Sequence, residues 1–142
     1  MNIAHVLARK GVRVITIRPE QSIRQALALL AEHNIGALVA VDESARPVGI
    51  LSERDVVRYA ARDEHVFGRA VSELMTRDVV VGVPEDDLKA VGRTMTERHI
   101  RHLPVVEDDR VVGMISIGDL VKFQSRQQSF EIQYLTDYIT AS

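Results

Sequence analysis

The 142-residue sequence contains no cysteine and no tryptophan, and three Phe and three Tyr bring its aromatic share to only 4%. Without cysteine, disulfides and thiol chemistry are excluded. With so few rings, the core has to be aliphatic, and the 46% hydrophobic content supplies Val, Ile, Leu and Ala for it. There is no excess of basic charge. The net charge of −2 argues against a nucleic-acid partner held by a basic surface. Nor is there a long apolar run: the longest, Ile35 to Val41, is far short of the ~20 residues of a membrane-spanning helix. Met1-Asn2-Ile3-Ala4-His5 lacks the basic start and long apolar stretch of a secretory signal. The expectation is a cytoplasmic, globular protein with no membrane partner, long enough for one domain with a substantial core.

What the sequence has instead is repetition, and a repeat decides architecture before any single motif does. Gly49-Ile50-Leu51-Ser52-Glu53-Arg54-Asp55 returns as Gly113-Met114-Ile115-Ser116-Ile117-Gly118-Asp119. In the first copy, Val14-Ile15-Thr16-Ile17 reads as a strand stopped by Pro19. Ser22 and Gln25 form a capping box for a helix with Ile23, Ala26, Leu27 and Leu30 on one face. Ala37 to Val41 is a buried strand, Asp42 to Pro47 a turn, Val48 to Leu51 a second strand, and Ser52 to about Ala61 a second helix. The second copy keeps the order: Val79-Val80-Val81 before Pro84, Asp87 as cap, Leu88, Val91 and Met95, then Leu103 to Val106, Asp108-Asp109, and Val111 to Ile115.

The fold class is therefore α/β (α+β): two tandem β-α-β-β-α repeats, each with one good apolar face, packed about a pseudo-twofold axis around a shared core. The expected divisions are an N-terminal helix within 1–12 (Asn2 to Lys10, closed by Gly11), repeat one at 13–61, a linker at 62–72, repeat two at 73–123 and a helical extension at 124–142. Arg62-Asp63-Glu64 reads as a solvated loop, and Met75, Met95 and Met114 as core or linker packing. The extension is rich in apolar residues, among them Phe130, Tyr134, Leu135 and Tyr138. It is suited either to contact with another subunit or to folding back on its own domain.

The repeated motif carries the chemistry. Ser followed three residues later by Asp at a helix start is a capping box, a structural device. Capping alone leaves unexplained why Gly49 and Gly113 both stand three residues before the Ser; glycine there suggests room for a close approach. A Ser hydroxyl with free N–H groups at a helix start suits a phosphate. An Asp one turn further suits the paired hydroxyls of a ribose. The strands before Pro19 and Pro84, with Thr16, Ile17 and Val81, could flank a flat base. The constellation reads as a nucleoside-phosphate site, present twice.

Taken together, Thr16-Ile17-Arg18-Pro19, Asn34 to Val39, Gly49 to Asp55, Glu73-Leu74-Met75-Thr76, Arg98 to Val106 and Gly113 to Asp119 resemble a pair of CBS domains (cystathionine β-synthase domains), a Bateman module, over about Val14 to Lys122. The sequence is similar to the small stand-alone CBS-pair proteins of prokaryotes. The resemblance implies two clefts for adenosine ligands such as AMP, ADP, ATP, NAD(H) or S-adenosylmethionine. These would be regulatory ligands rather than required cofactors, with Ser on phosphate and Asp on ribose. It also implies disc-like homodimers that report ligand state to an as yet unknown protein effector.

The copies differ. Ile100-Arg101-His102, with Pro104 two residues on, enters the inner strand of copy two where copy one has Gly36-Ala37; Arg54 lies in one motif and Gly118 in the other. Arg101 and the titratable His102 would make the copy-two cleft, with Ser116, Gly118 and Asp119, the phosphate site. Arg54 would serve the copy-one cleft, with Ser52 and Asp55, or reach across. His99 and His102 straddle a helix–strand junction and do not form a metal pair. The sequence offers no nucleophile–base pair, P-loop or metal cluster, so an enzyme is not expected. The alternative function is a dimerisation or protein-interaction module with unoccupied sites.

Overall fold

Short polar caps punctuate this chain, and all but one of its described α-helices begin at one. In the computed structural model, which describes residues 1–11 and 14–124, α1 (Ile3–Lys10) starts at Asn2, whose side chain accepts from His5 N. β1 is Thr16–Ile17. α2 (Ile23–His33) starts at the Ser22–Gln25 capping box and ends at Asn34, in the left-handed conformation at φ 51°. β2 (Ala37–Val41) and β3 (Pro47–Ser52) form a hairpin that leads into α3 (Glu53–Ala60). A short 3-10 turn, Val66–Gly68, and α4 (Val71–Leu74) follow. α5 (Leu88–Glu97) is capped by Asp87. The second hairpin, β4 (His102–Glu107) and β5 (Arg110–Ser116), leads into α6, described over 117–124.

The two hairpins share one register. Ala37 pairs with Ser52 as His102 pairs with Ser116, and both carry a bulge near the turn, at Ala40/Val41 and Val105/Val106. β1 adds in parallel to β2. The expected strand Val79 to Val81 does not form. Only Gly82 bridges Val105 in parallel, and Val81 is exposed. The pairing segment has slid one residue to a glycine, because a Cβ at Gly82 would lie 2.8 Å from Leu103 Cδ2. The chain can approach β4 only where it has no side chain.

A shared core is not what forms. The buried residues fall into two clusters, one around Ile17, Ile23, Leu38, Leu51 and Val71, the other around Ile3, Leu88, Met95, Leu103 and Ile115. Each cluster is completed by a helix that precedes the other repeat. α1 precedes repeat one but packs on repeat two; α4 precedes β4–β5 but packs on repeat one. The backbone bonds match pairwise. Ile3 N donates to Asp86 O and Ala4 N to Pro84 O, as Val71 N donates to Gln21 O and Ser72 N to Pro19 O. α1 is thus the pseudo-symmetric counterpart of α4. The exchange separates the cores because each sheet covers its own helix-bearing face, and the crossing helix seals it.

β2 is buried on both faces: Leu38 and Ala40 belong to the first cluster, while Ala37, Val39 and Val41 are buried on the other side. The repeats meet across that side, where Val111 N donates to Ala45 O and the His102 ring lies near Gly36. In the linker Arg62 and Glu64 are exposed, as a solvated loop requires, but Asp63 between them is engaged. Asp63 accepts from His65 N and Arg69 Nε, and Val66 is buried against repeat one. Met75 and Met95 are core residues. The extension with Phe130, Tyr134, Leu135 and Tyr138 lies outside the described residues, whereas Phe123 closes the second cluster.

Candidate ligand-binding clefts

Strand-to-helix turns place Ser52 and Ser116 at equivalent helix starts, and two clefts open there. The Ser52 cleft has a volume of about 430 Å³ and the Ser116 cleft about 320 Å³. Each is built from both repeats. Around Ser52, Arg54 and Asp55 stand Val79, Val80, Ile100, Arg101 and His102 from the second half. Around Ser116 and Asp119 stand Val14, Ile15, Ile35, Gly36 and Ala37 from the first, with Lys10 from α1.

This exchange corrects the assignment of Arg101 to the Ser116 cleft. The carbonyl of Arg101 does accept from Ile117 N at 2.9 Å, but the residue lines the cleft of Ser52 and not that of Ser116. Gly36 mirrors it, accepting from Glu53 N at 3.0 Å. Both residues stand where the repeats meet, and each lines the cleft of the other repeat's Ser. Gly36 and His102 line both clefts, and a Cβ on Gly36 would be 3.7 Å from His102 Nε2.

The motif residues cap their helices and face the clefts at once. Ser52 Oγ accepts from Asp55 N at 3.3 Å, and Asp55 Oδ2 accepts from Ser52 N and Ser52 Oγ, each at 3.0 Å. Asp119 N donates to Ser116 Oγ at 3.0 Å, and Asp119 Oδ2 accepts from Ser116 N at 2.9 Å. In both pairs the cap engages Oδ2; among the described residues no donor reaches Oδ1 of either Asp.

The glycines have a different purpose from a close approach by a ligand. A Cβ at Gly49 would overlap the Met75 sulfur, and one at Gly113 would lie 2.8 Å from Leu7 Cδ2. Both make room for the helix exchanged from the other repeat. Gly118, in the first turn of α6, does not line a cleft; a Cβ there would be 3.6 Å from Ser116 Oγ. Thr16 and Ile17 also lie outside both clefts, since Ile17 is buried in the first cluster, and Pro104 is fully buried. Val81 stands away from Ser52. The apolar walls come one or two residues earlier, from Val14 and Ile15 or Val79 and Val80, before the chain turns into its sheet.

Charge distinguishes the clefts. The Ser52 cleft carries Arg54, Arg58 and Arg101 together with Glu53, Asp55 and Asp78. In the Ser116 cleft the described charges are Lys10 and Asp119, joined at 2.7 Å. Burial works against ionising Asp119, but the bonds from Lys10 and Ser116 prevail and hold its carboxyl below the usual range. Burial pushes the His102 imidazole down; Lys10 and Arg101 push the same way, against Asp119 and Glu53. Lys10 escaped sequence reasoning, because nothing in an N-terminal helix indicates that it packs on the far repeat. No group of three His, Cys, Asp or Glu suited to a metal occurs among the described residues. None of their helices is long and apolar enough to cross a membrane.

This architecture, two hairpins of one register with exchanged leading helices, has its counterpart among known proteins. A family model for the CBS domain matches residues 5–62 and again residues 71–126. The chain belongs to the CBS-domain family. The first match takes in most of α1, as the second takes in α4. The CBS pair is 37% identical over 132 residues to an uncharacterized 33.4 kDa protein in a ribosomal RNA operon of Thermofilum pendens, covering 89% of this chain and 43% of that protein. It therefore spans less than half of that relative. Its backbone is similar to that of the CBS-domain containing protein ATU1752 from Agrobacterium tumefaciens, with a TM-score of 0.82 and 37% identity over 87% of this chain and 99% of that one. It is also similar to the CBS domain pair of protein MJ0100 in complex with 5′-methylthioadenosine and S-adenosyl-L-methionine. There the TM-score is 0.81 at 28% identity, covering 89% and 98% of the two chains.

Proposed function

We propose that this CBS pair is a regulatory module with two non-equivalent sites for adenosine-containing ligands. The observation that carries the reading is the doubled Ser–Asp pair, each facing a cleft whose apolar wall comes from the opposite repeat. Asp55 and Asp119 take ribose hydroxyls on the oxygen the cap leaves free. Val79 and Val80, or Val14 and Ile15, flank the base. Phosphates belong in the Ser52 cleft, whose lining includes Ser52, Arg54 and Arg101. This reverses the preference that the sequence placed on Ser116, because Arg101 lies with Ser52. A complex of the similar MJ0100 pair with two adenosine compounds supports the ligand class.

Among AMP, ADP, ATP, NAD(H) and S-adenosylmethionine, the arginines that line the Ser52 cleft favour the phosphorylated ligands. The module binds rather than transforms them and works in the cytoplasm. Exposed Val57 and Tyr59 on α3 and Val121 on α6 support a second copy as partner, with a protein effector reading the result. Thermal melting with each ligand tests this. At ~100-fold excess over Kd the module gains about 2.7 kcal/mol, and absence of any shift with all of them sinks the reading. Capping favours a second reading, a dimerisation module with unoccupied sites, since Ser and Asp already bond each other. Under it, loss of either Asp changes stability and nothing else.

A further inference from the structure

α1 contributes more than apolar packing. From its last residue, Lys10 Nζ reaches into the Ser116 cleft and donates to Met114 O at 2.8 Å and Asp119 Oδ2 at 2.7 Å. Ser116 N donates to the same Oδ2 at 2.9 Å, which fills that oxygen's two lone-pair sites. The counterpart in the Ser52 cleft differs twice. Ile50 O, equivalent to Met114 O, accepts from Thr76 N at 2.8 Å, so a backbone bridge does there what the ammonium does here. The alignment that pairs Ala4 with Ser72 and Leu7 with Met75 puts Asp78 where Lys10 stands. Asp55 has no ion-pair partner among the described residues.

We propose that Lys10 is a latch on the Ser116 cleft: its ammonium competes with a ligand's ribose hydroxyls for the Asp119 carboxylate, and filling this cleft undocks the last turn of α1. The inference rests on reading Asp119 as a ribose acceptor. Oδ2 is held in the cap at both aspartates, but only at Asp119 is one of its donors an ammonium, whose charge offsets the carboxylate's and weakens the bonds a diol makes on Oδ1. The Lys10 side chain is 41% exposed, so water can take over its donors when it leaves. The apolar anchor is separate: Leu7 sits over Gly113, with Ile3 and Val6 deeper in the cluster. Residues 8–10 can therefore lift, giving up the contact of Arg9 with the Phe123 ring at 5.4 Å, while Leu7 and the rest of α1 stay seated. The coupling is reciprocal, since whatever holds Lys10 on Asp119 weakens the ligand by the same factor. The Ser52 cleft has no such latch among the described residues, and an unphosphorylated nucleoside reads the effect of Lys10 without a phosphate to meet it.

The test uses adenosine, which has no phosphate to meet Lys10, in the full chain carrying Asp55→Asn, so that calorimetry reads the Ser116 cleft. Adding Lys10→Met, which keeps most of the aliphatic stem, is expected to tighten adenosine by at least about fivefold, the low end of ordinary coupling between sites. Lys10→Arg, which keeps the cation, is expected to leave affinity near that of the parent. In the unmodified protein, saturation with adenosine is expected to speed hydrogen exchange at the Gly11 amide, which donates to Leu7 O. Weaker or unchanged binding in Lys10→Met, or slower exchange at Gly11, overturns the latch. Should adenosine binding vanish in Asp119→Asn yet ignore Lys10, the ribose reading stands and the latch alone falls. If no variant binds adenosine, both fall.

Discussion

Replacing Asp55 with Ala removes two functions that differ in size and readout. The first is the cap: Asp55 Oδ2 loses the Ser52 N and Oγ contacts at 3.0 Å. Loss of such a cap costs about 1 kcal/mol, and in a chain of this length the melting point falls by about 2–4 °C per kcal/mol. The second is the ribose. A hydrogen bond to a charged group contributes about 1.5–3 kcal/mol, and each 1.4 kcal/mol is tenfold in affinity. ADP binding at the Ser52 cleft should therefore weaken by at least about tenfold. Asp55→Asn separates the two, because an amide oxygen still accepts from Ser52 N while the carboxylate charge is gone. Its melting point should stay near that of the unmodified protein and its ADP affinity should fall. Calorimetric titration beside thermal melting reads both quantities. Stability that drops as expected while ADP affinity is unchanged in both variants would refute the account and leave Asp55 a cap only.

Arg101→Ala should weaken ADP by about tenfold, one charge-assisted bond, and leave adenosine unchanged; equal losses for both would show that Arg101 does not meet phosphate. Leu7→Ala empties the space over Gly113 and should cost about 2–3 kcal/mol in urea unfolding, the low end for a buried leucine because Leu7 keeps 9% of its surface exposed. An effect near zero would mean that α1 does not seal the second cluster. Stability should also fall with acid in two windows. His102 is depressed in the folded chain, so the unfolded chain takes up its proton first, and stability drops as pH falls below about 6.5. Asp119 is depressed too; its contribution is present above the unfolded value of 3.8 and lost as pH falls through the lower folded one. Lys10 and Arg101 face His102 on the depressing side, Asp119 and Glu53 on the other. Urea unfolding at pH 7.5 and 5.5 should show a smaller loss in His102→Gln, and equal losses would contradict the assignment.

The duplication was legible because both copies keep the same polar punctuation: Ser22 and Asp87 do cap helices, and Ser52 and Ser116 do begin them. α1 was legible from the spacing of Ile3, Val6 and Leu7 and from the Gly11 that closes it. Where α1 goes was not, because amphipathic periodicity says that a face is buried but not against what. That single unknown hid Lys10 from the Ser116 cleft and misassigned Gly49 and Gly113, whose missing side chains accommodate Met75 and Leu7. The assignment of Arg101 reversed for a separate reason. A residue where the repeats meet belongs by sequence to one copy and lines the other's cleft. Val81 was misplaced for a smaller reason: a strand needs a close approach, and the chain could make it only at Gly82.

A crystal structure of the protein with ADP tests the central claim most directly. The account predicts ADP in the cleft made by both repeats, with its phosphates on Ser52 Oγ and the Arg101 guanidinium and its ribose hydroxyls on Asp55. ADP phosphates at Ser116 with Arg101 turned to solvent, or empty clefts at saturating ADP, would contradict it.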